Sequence, residues 1–508
     1  MKKSKVYLVG AGPGDPGLIT VRGAELLAQA DYIVYDRLAN ASLLGLARND
    51  AQLISVGKRS GAHSYKQDEI NDLLVDLAKQ GKTIVRLKGG DPCIFGRGAE
   101  EAGQLVREGI EFEFVPGVTA ALGASEYAGI MLTHRDYSSA VAFVTGHESD
   151  TKPQSSIDFA VLAKFDGTLV FYMGMGTLEY IASGLIDNGM DPEMPVAIVA
   201  DATLATQRIV MAPLREIGRI ALDADIRPPA VIIIGRGAKS DEQLQWFTSK
   251  PLFGRTVILT RDAAGNVEFA RRIAQQGGSV MQYPSIELVG LIGQSSFETQ
   301  ISHLSEFEWV FFTSANGVDF VFEHLASVGK DARVFGANKI AAIGARTADK
   351  LKQYGIVADF VPARFTTAAL GSEFKSKFQI AGKKVLLLRS AIANNDLDAG
   401  LAASGAQLVR IDVYTAKPVA FDPKGLVDQV RRQRDNWLTF TSASTVDAFF
   451  LSVNADVIKN RVKILSIGPV TSEQVRRHGL DVDLEAKEHT TASMVETLCE
   501  YLKESTDA

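Results

Sequence analysis

Short apolar runs of strand length alternate with amphipathic stretches of helical length along the whole chain. The clearest runs are Tyr32–Tyr35, Thr83–Leu87, Ala140–Thr145, Thr168–Tyr172, Val196–Val199, Ala230–Ile234 and Thr256–Leu259. Strand patterns that alternate with helical patterns are typical of α/β proteins. The pattern therefore predicts an α/β fold throughout.

The second half of the chain contains an internal repeat. GRTVILTR (254–261) recurs as GKKVLLLR (382–389), WVFFTSANGVDFVF (309–322) as WLTFTSASTVDAFF (437–450), and KIAAIGARTADKLKQYGI (339–356) as KILSIGPVTSEQVRRHGL (463–480). The copies are 124 to 128 residues apart. Such self-similarity predicts two copies of one α/β unit, and hence two similar lobes with a cleft between them.

The length of 508 residues exceeds what one hydrophobic core usually serves, so more than one domain is expected. The polar stretch 236–250 separates strand Ala230–Ile234 from a new strand at Thr256–Leu259. We therefore predict domains at 1–245 and 251–508. Trp246 and Phe247 inside the linker are expected to dock on a neighbouring domain.

Composition and charge exclude several classes of protein. A net charge of -6 over this length provides neither a basic field for nucleic acid nor a polybasic membrane patch. Cys93 and Cys499 are far apart and in no metal-ligand spacing, so we expect neither a disulfide framework nor a metal site. Residues 1–4 lead directly into strand Val6–Val9, and no apolar run has the length of a membrane span. We expect a cytoplasmic protein.

Two glycine-rich segments follow apolar strands. RLKGGDPCIFGRG (86–98) comes after Thr83–Val85, and VYLVGAGPGDPG (6–17) forms a second strand end. Gly89 and Gly90 remove side chains that would block a close ligand, and Asp91-Pro92 favours a turn. Because open α/β sheets bind ligands outside the carboxyl ends of their strands, the two segments predict one cofactor site.

A dinucleotide site is the first alternative. Gly12, Gly14 and Gly17 satisfy G-x-G-x-x-G, and Asp36 ends the next strand. Pro13 and Pro16, however, remove two backbone N–H donors that would face a pyrophosphate. The sequence disfavours this alternative.

An ordered set of motifs carries a resemblance to a known family. These motifs are VGAGPGDPGLITVRGAELLAQADYIVYDRLAN (9–40), VGKRSG (56–61) with His63, Gln67 and Asn71, RLKGGDPCIFGRG, VPGVTAALGASEYAGI (115–130), LTHR (132–135), FYMGM (171–175) and MPVAIV (194–199). In this order they resemble the tetrapyrrole methylases, and among these the uroporphyrinogen-III C-methyltransferases, over nearly all of residues 5–240. The resemblance implies a two-lobed α/β domain that uses S-adenosylmethionine, with no metal, and that forms a homodimer.

The resemblance also implies site residues. Asp36 matches the family's proton acceptor and Lys58 its proton donor; the alternatives are a turn carboxylate paired with Arg37 and a surface lysine. The implied cofactor positions are Pro13, Gly89, Gly90, Asp91, Ile94, Thr119, Ala120, Met173 and Ala202. The chain departs from the family pattern at Ala202, where glycine is common, and at Cys93, which we expect to be a packed side chain rather than a nucleophile.

The implied substrate carries eight carboxylates, and basic side chains lie next to the strand-end loops. These side chains are Arg22, Arg37, Arg59, Arg86, Lys88, Arg97 and Arg135. Charge-assisted pairs from some of them would orient the macrocycle, whereas the others solvate the surface. We expect Arg37, Arg86 and Lys88 to contact substrate.

Residues 254–508 resemble the uroporphyrinogen-III synthases through TR, FTS, the IG turn and Val413-Tyr414. The resemblance implies one lobe from 254–288 with 415–508, and another from 289–414. Arg261, in the TR motif, is expected to bind substrate. Ser314 and Ser442 follow strands of the repeat at paired helix N-termini, which suit an anionic ligand, so we expect both to bind substrate; the alternative is that they only cap their helices. Tyr414 is the candidate proton donor, or else a structural tyrosine.

Together the two resemblances imply a bifunctional enzyme. It would close hydroxymethylbilane to uroporphyrinogen III and methylate that product twice to precorrin-2, for sirohaem or cobalamin synthesis. One alternative is a later corrin-ring methylase. The other is a methylase whose second half binds tetrapyrroles without catalysis.

Overall fold

The computed structural model describes residues 4–48, 50–57, 65–147, 157–239, 241–292, 297–363, 373–393, 395–432 and 435–504. It contains four five-stranded sheets with helices between the strands, which confirms the predicted α/β class. Two compact units are present. One consists of Met1–Val257, Arg271–Val280 and Leu498–Ala508, and the other of Ile258–Ala270 and Met281–Thr497.

The first sheet is entirely parallel, in the order β3-β2-β4-β1-β5. Its strands are β1 (Lys5–Gly10), β2 (Tyr32–Tyr35), β3 (Gln52–Ser55), β4 (Thr83–Lys88) and β5 (Glu111–Val115). The helices in this part of the chain are α1 (Val21–Leu27), α2 (Gln67–Lys79) and α3 (Gly98–Arg107). The central strand β4 is buried on both faces: Ile84 belongs to one apolar core and Val85 to the other.

The second sheet is mixed, in the order β6-β7-β10-β8-β9. Its strands are β6 (Val141–Thr145), β7 (Thr168–Tyr172), β8 (Pro195–Ala200), β9 (Arg208–Pro213) and β10 (Ala230–Ile234). The helices are α4 (Ala120–Ala128), α5 (Phe159–Leu162), α6 (Leu178–Asp187) and α7 (Ile217–Asp223). Helix α4 packs on this sheet through Ala121, Ala124 and Ala128, whose small side chains let the helix approach closely.

The two remaining sheets are built from the repeat. The third, in the order β12-β11-β18-β19-β20, contains β11 (Thr256–Leu259), β12 (Ser279–Gln282), β18 (Asn436–Phe440), β19 (Lys463–Ser466) and β20 (Leu484–Glu485). The fourth, in the order β13-β17-β16-β14-β15, contains β13 (Ile286–Gly290), β14 (Trp309–Phe312), β15 (Lys339–Ala342), β16 (Lys384–Ser390) and β17 (Gln407–Pro418).

Helices of 4 to 14 residues accompany these strands. They are α8 (Ala263–Gln275), α9 (Phe297–Ser302), α10 (Ala315–Ser327), α11 (Ala345–Gln353), α12 (Asp396–Ala402), α13 (Lys424–Arg432), α14 (Ala443–Phe450), α15 (Ala455–Ile458), α16 (Pro469–Arg477) and α17 (Thr491–Glu504), and residues 373–377 are also helical. Short 3-10 turns lie at Pro16–Leu18, Ala41–Leu46, Met175–Thr177, Glu242–Leu244, Leu304–Glu306 and Ala332–Phe335.

The strand order confirms the predicted repeat. The run β12-β11-β18-β19 of one sheet corresponds to β17-β16-β14-β15 of the other, and the strands of equal sequence occupy equal places. A hydrogen bond that the sequence comparison missed is repeated as well. The N–H of Ile340 donates to Asp359 and that of Ile464 donates to Asp483, each at a distance of 2.7 Å.

The linker is docked, as predicted. The rings of Trp246 and Phe247 lie 4.8 and 4.7 Å from the ring of Tyr127 on α4, and the indole N–H of Trp246 donates to the carbonyl of Glu126 at 3.0 Å. Among the described helices, none has the length and apolarity that crossing a bilayer requires. In the same part of the chain, no group of three or more His, Cys, Asp or Glu side chains forms a metal site.

Candidate active sites

Backbone approaches backbone where β1, β4 and β5 end. Gly12 and Gly90 exchange N–H···O bonds of 3.2 and 2.8 Å, which joins the two glycine-rich segments directly. A Cβ on Gly10 would lie 2.6 Å from the Cα of Gly117, so no side chain fits between these chains. The two glycine-rich segments therefore lie together at one edge of the sheet, as the sequence predicted.

Gly90 faces open space within this site. Its backbone is left-handed (φ 66°), and a Cβ there would have the N of Ala120 and the Cα of Thr119 as nearest atoms, at 3.8 and 4.0 Å. Three predicted cofactor positions therefore surround one space that a side chain on Gly90 would enter. Because Gly90 has no side chain, a ligand could approach the backbone closely at this point.

The Asp91 carboxylate organises the turn after Gly90. Its Oδ1 accepts the N–H groups of Cys93 and Ile94 at 2.8 and 3.2 Å, and its Oδ2 accepts that of Gly117 at 3.0 Å. Asp91 thus supports the cradle through the backbone. Cys93 is exposed, so the prediction of a packed side chain was wrong. Desolvation of the thiol by its neighbours and the charge of Asp91 raise its pKa, which disfavours a thiolate.

Tyr172 is a site residue that sequence reasoning missed. Its hydroxyl lies 2.7 Å from Thr119 Oγ1 and accepts the N–H of Ala121 at 3.0 Å, which ties β7 to the start of α4. Burial raises the pKa of this phenol. The rings of Phe95 and Phe143 lie 5.0 and 5.9 Å from its ring. The signal was its place in FYMGM, directly before Met173, which is half exposed with a positive φ.

A closed set of hydrogen bonds joins the Pro13 and Ala202 segments to α4. Asp15 N–H donates to Thr203 Oγ1 (2.8 Å), Thr203 N–H to Gln207 Oε1 (2.9 Å), Gln207 Nε2 to the Tyr127 carbonyl (3.0 Å), and the Tyr127 hydroxyl to Asp15 (2.7 Å). A Cβ on Gly123 would lie 2.5 Å from the Pro13 ring, so Pro13 packs against α4. The two predicted positions are therefore held beside Thr119 and Ala120.

Asp36, at the end of β2, reaches the same edge of the sheet. The Cβ of Leu38, in the same loop, would lie 2.8 Å from a Cβ on Gly89, so the loop packs against the cradle. The Asp36 carboxylate is 30% exposed and pairs with Arg86 rather than Arg37, which is exposed. Lys58, the predicted proton donor, lies outside the described residues.

Arg86 and Lys88 were predicted to contact substrate directly, but the structure buries both side chains. Their side chains are 2% and 4% exposed because residues 84, 86 and 88 of β4 face the layer of α2 and α3. Both bind Glu101 Oε1, at 3.1 and 2.8 Å. Desolvation and the neighbouring Arg86 charge lower the pKa of Lys88. Arg86 therefore acts within the protein, on Asp36.

In the other unit, the structure brings Ser314 and Tyr414 together. The Tyr414 hydroxyl donates to Ser314 Oγ at 3.1 Å, and Ser314 Oγ accepts the N–H of Gly317 at 2.9 Å. Ser442 likewise accepts the N–H of Thr445 at 3.2 Å. Both serines therefore cap their helices, α10 and α14, which is the structural role given above as the alternative to substrate binding. Tyr414 is buried and stacks on Phe320, with ring centroids 5.5 Å apart.

The repeat-related arginines Arg261 and Arg389 have different surroundings. Arg389 is fully buried and bound to Asp398, whereas Arg261 is 15% exposed beside Asp262. Burial and the charge of Arg261 lower the pKa of Arg346, which follows the IG turn of one copy. Arg261 and Arg346 are therefore close enough for their charges to interact, and the carboxylates of Asp262 and Asp319 oppose this shift. Val470 replaces Arg346 in the other copy, so the repeat alone did not reveal this pair.

Comparison with known families divides the chain in two. Residues 5–218 match the family of Tetrapyrrole (Corrin/Porphyrin) Methylases, and residues 267–496 match the family of Uroporphyrinogen-III synthase HemD. Among known proteins, the porphyrin biosynthesis protein HemD of Ruminiclostridium josui is 37% identical over 500 residues, covering 98% of each chain. The uroporphyrinogen-III C-methyltransferase of Bacillus subtilis (strain 168) is 40% identical over 357 residues, covering 70% of this chain and 73% of its own.

Solved structures resemble each half. Uroporphyrin-III C-methyl transferase from Thermus thermophilus, complexed with S-adenyl homocysteine, is 40% identical and covers 46% of this chain and 97% of its own, with a TM-score of 0.40. A mutant uroporphyrinogen III synthase, also from Thermus thermophilus, is 20% identical and covers 49% of this chain and 99% of its own, with a TM-score of 0.36.

Proposed function

Because this chain belongs to the tetrapyrrole methylases in its first half and to the uroporphyrinogen-III synthases in its second, we propose that it catalyses both reactions. It closes hydroxymethylbilane to uroporphyrinogen III and then methylates that product twice to precorrin-2. Precorrin-2 serves sirohaem or cobalamin synthesis. The product of one half is the substrate of the other, which gives the fusion a chemical reason.

The first half holds the methyl donor at the strand-end cradle. S-adenosylmethionine, when bound, supplies the electrophilic methyl group. Gly90, Thr119 and Ala120 would hold it through backbone contacts, and Tyr172 fixes Thr119 and Ala121 in place. Displacement at a methyl carbon depends chiefly on alignment of the reacting atoms, so we propose that no metal takes part.

Asp36 and Lys58 move protons in this proposal. Once a pyrrole carbon has taken the methyl group, the macrocycle must lose a proton from another position and regain one elsewhere as it tautomerises, which requires a base and an acid. Asp36 is suited to the first task because its carboxylate is partly exposed at the end of β2 and is held by Arg86 at 2.6 Å. Lys58 is proposed for the second from its place in VGKRSG.

The second half folds a linear substrate into one geometry. Ring closure with inversion of the last pyrrole proceeds through loss of water from hydroxymethylbilane, so the protein must chiefly bind carboxylates and orient the chain. Arg261 and Arg346 supply positive charge for this purpose. Tyr414 is proposed as the proton donor to the departing hydroxyl, with Ser314 as its hydrogen-bond partner.

One observation carries the methylase proposal: Gly90, Thr119 and Ala120 border one space at the strand ends, and the loop that holds Asp36 contacts the neighbouring Gly89 through Leu38. The test is a coupled assay of the full chain with hydroxymethylbilane, with and without S-adenosylmethionine. Uroporphyrinogen III alone is expected without the donor, and a doubly methylated product with it. Type I porphyrin alone would contradict the synthase proposal, and an unmethylated type III product would contradict the methylase proposal.

We infer from the family resemblance that the protein is a homodimer through its first half, which light scattering would test. We expect a cytoplasmic location, which fractionation would test. Treatment with a chelator should leave both activities unchanged, and a loss restored by added metal would contradict the metal-free mechanism.

A further inference from the structure

Four charged side chains, three of them buried, form an array beside β4. Asp36 Oδ1 accepts Arg86 Nη2 at 2.6 Å, Arg86 Nε donates to Glu101 Oε1 at 3.1 Å, and Lys88 Nζ donates to the same oxygen at 2.8 Å. Gln67 Nε2 adds a fourth contact, at 3.3 Å from Glu101 Oε1. The array runs from the partly exposed Asp36 to the fully buried Glu101 on α3.

The array is balanced in charge. Two carboxylates and two cations alternate, as buried ionic groups require if they are to remain charged. Glu101 Oε1 accepts hydrogen bonds from three donors, whereas its Oε2 is buried and accepts none from the part of the chain that the structure describes. If Glu101 only neutralised the buried cations, the donors would be expected to be distributed over both of its oxygens. Because all three donors bind Oε1, this oxygen is held in place next to Arg86.

Arg86 in turn fixes the direction of Asp36. It binds only Oδ1, and Oδ2 accepts no hydrogen bond from the residues that the structure describes. The guanidinium also donates to the carbonyls of Val34 and Leu87, at 3.5 and 3.4 Å. Because its planar fork is held on several sides, Arg86 holds Asp36 in one orientation with Oδ2 available for a proton.

We propose that Glu101 is a positioning residue for methylation: through Arg86 it holds the Asp36 carboxylate in the orientation that accepts the proton. This inference rests on the proposed function, in which Asp36 is the proton acceptor. Glu101 itself is too deeply buried to touch substrate. Its effect should therefore depend entirely on Asp36.

A double-mutant cycle on the full chain tests this dependence. Glu101→Gln keeps the shape of the side chain but removes its charge. We expect it to lower the single-turnover methylation rate roughly 10- to 100-fold, the scale of a misplaced catalytic group, with unchanged calorimetric affinity for S-adenosylhomocysteine. In an Asp36→Asn background, the same change should slow the reaction no further.

Glu108→Gln is the matched control. Glu108 follows α3, is more exposed, and pairs with Lys79 at 2.9 Å, so its loss should not change the rate. Should Glu101→Gln fail to fold, Glu101→Gln with Lys88→Met removes both charges together and restores the balance. The same rate loss, absent when Asp36 is already Asn, is then expected.

The outcomes separate this inference from the function on which it rests. A normal rate in Glu101→Gln beside a slow Asp36→Asn would overturn the positioning role alone. Rate losses that multiply in the double variant would also overturn it, because Glu101 would then act by another route. A normal rate in Asp36→Asn would overturn the role of Asp36 and this inference with it.

Discussion

Gly90 decides whether the cradle can hold a ligand. A Cβ at this position would enter the space beside Thr119 and Ala120. We predict that Gly90→Val abolishes calorimetric binding of S-adenosylhomocysteine. Gly81→Val is the matched control, because Gly81 is also left-handed (φ 74°) but has no atom within 4 Å of a Cβ. If Gly90→Val binds normally, Gly90 is not part of the site.

Asp36 and Lys58 should affect turnover and not cofactor binding. Asp36→Asn and Lys58→Met are each expected to lower methylation by roughly 100-fold or more, the usual scale of general acid–base catalysis. The affinity for S-adenosylhomocysteine should stay the same in both, because neither side chain is proposed to hold the donor. Normal turnover in both variants would contradict the roles taken from the family.

Tyr414 should help ring closure without being essential to it. Tyr414→Phe removes the hydroxyl that donates to Ser314 and keeps the ring that stacks on Phe320. If geometry and carboxylate contacts dominate, the variant retains measurable synthase activity. Complete loss of activity in a folded Tyr414→Phe protein would instead make the phenol the required proton donor.

At the scale of elements, the two capped helices α10 and α14 are the equivalent parts of the repeat. Ser314→Val with Ser442→Val removes both cap hydroxyls, each worth about 1 kcal/mol of stability. We also predict weaker binding of hydroxymethylbilane, since an anion at these N-termini would lose both hydroxyls. Asn454→Ala, which removes the cap of α15, is the control: it should lower stability and leave binding unchanged.

At the scale of the whole molecule, the linker determines where the chain can be divided. Phe247 is buried, and the half-exposed Trp246 packs on Tyr127. Leu252, on the other side of the division, is buried, and its N–H donates to the carbonyl of Gln276. A division between 250 and 251 keeps each of these contacts within one fragment. Fragment 1–250 should therefore bind S-adenosylhomocysteine. Fragment 1–245 lacks Trp246 and Phe247, which exposes the Tyr127 ring, and its free energy of unfolding should be lower by roughly 2 kcal/mol.

Fragment 251–508 should convert hydroxymethylbilane to uroporphyrinogen III by itself, because both repeat-derived sheets lie within it. Isomer analysis of the oxidised product is the measurement. The type III isomer is expected from the fragment. If the folded fragment yields only the type I porphyrin, the second half binds tetrapyrroles without closing them correctly.

Much of this protein follows from its sequence because it depends on local patterns. Strands such as Tyr32–Tyr35 and Thr168–Tyr172 have the predicted bounds, since apolar runs between turns determine strands locally. Gly12 and Gly90 meet because parallel strands bring their carboxyl ends to one edge. The repeat predicted two sheets of equal strand order, because equal sequences form equal units.

Only the tertiary structure decided which side chains act together. Arg86 and Lys88 lie on the strand that leads into the cradle, yet both point to the α2–α3 layer and bind Glu101, because side chains alternate across a strand covered on both faces. Arg261 and Arg389 are equivalent in the repeat, but only Arg389 is bound to Asp398. Tyr172 reaches Thr119 from another sheet. Such contacts depend on which faces meet in space, and no local pattern of residues specifies that.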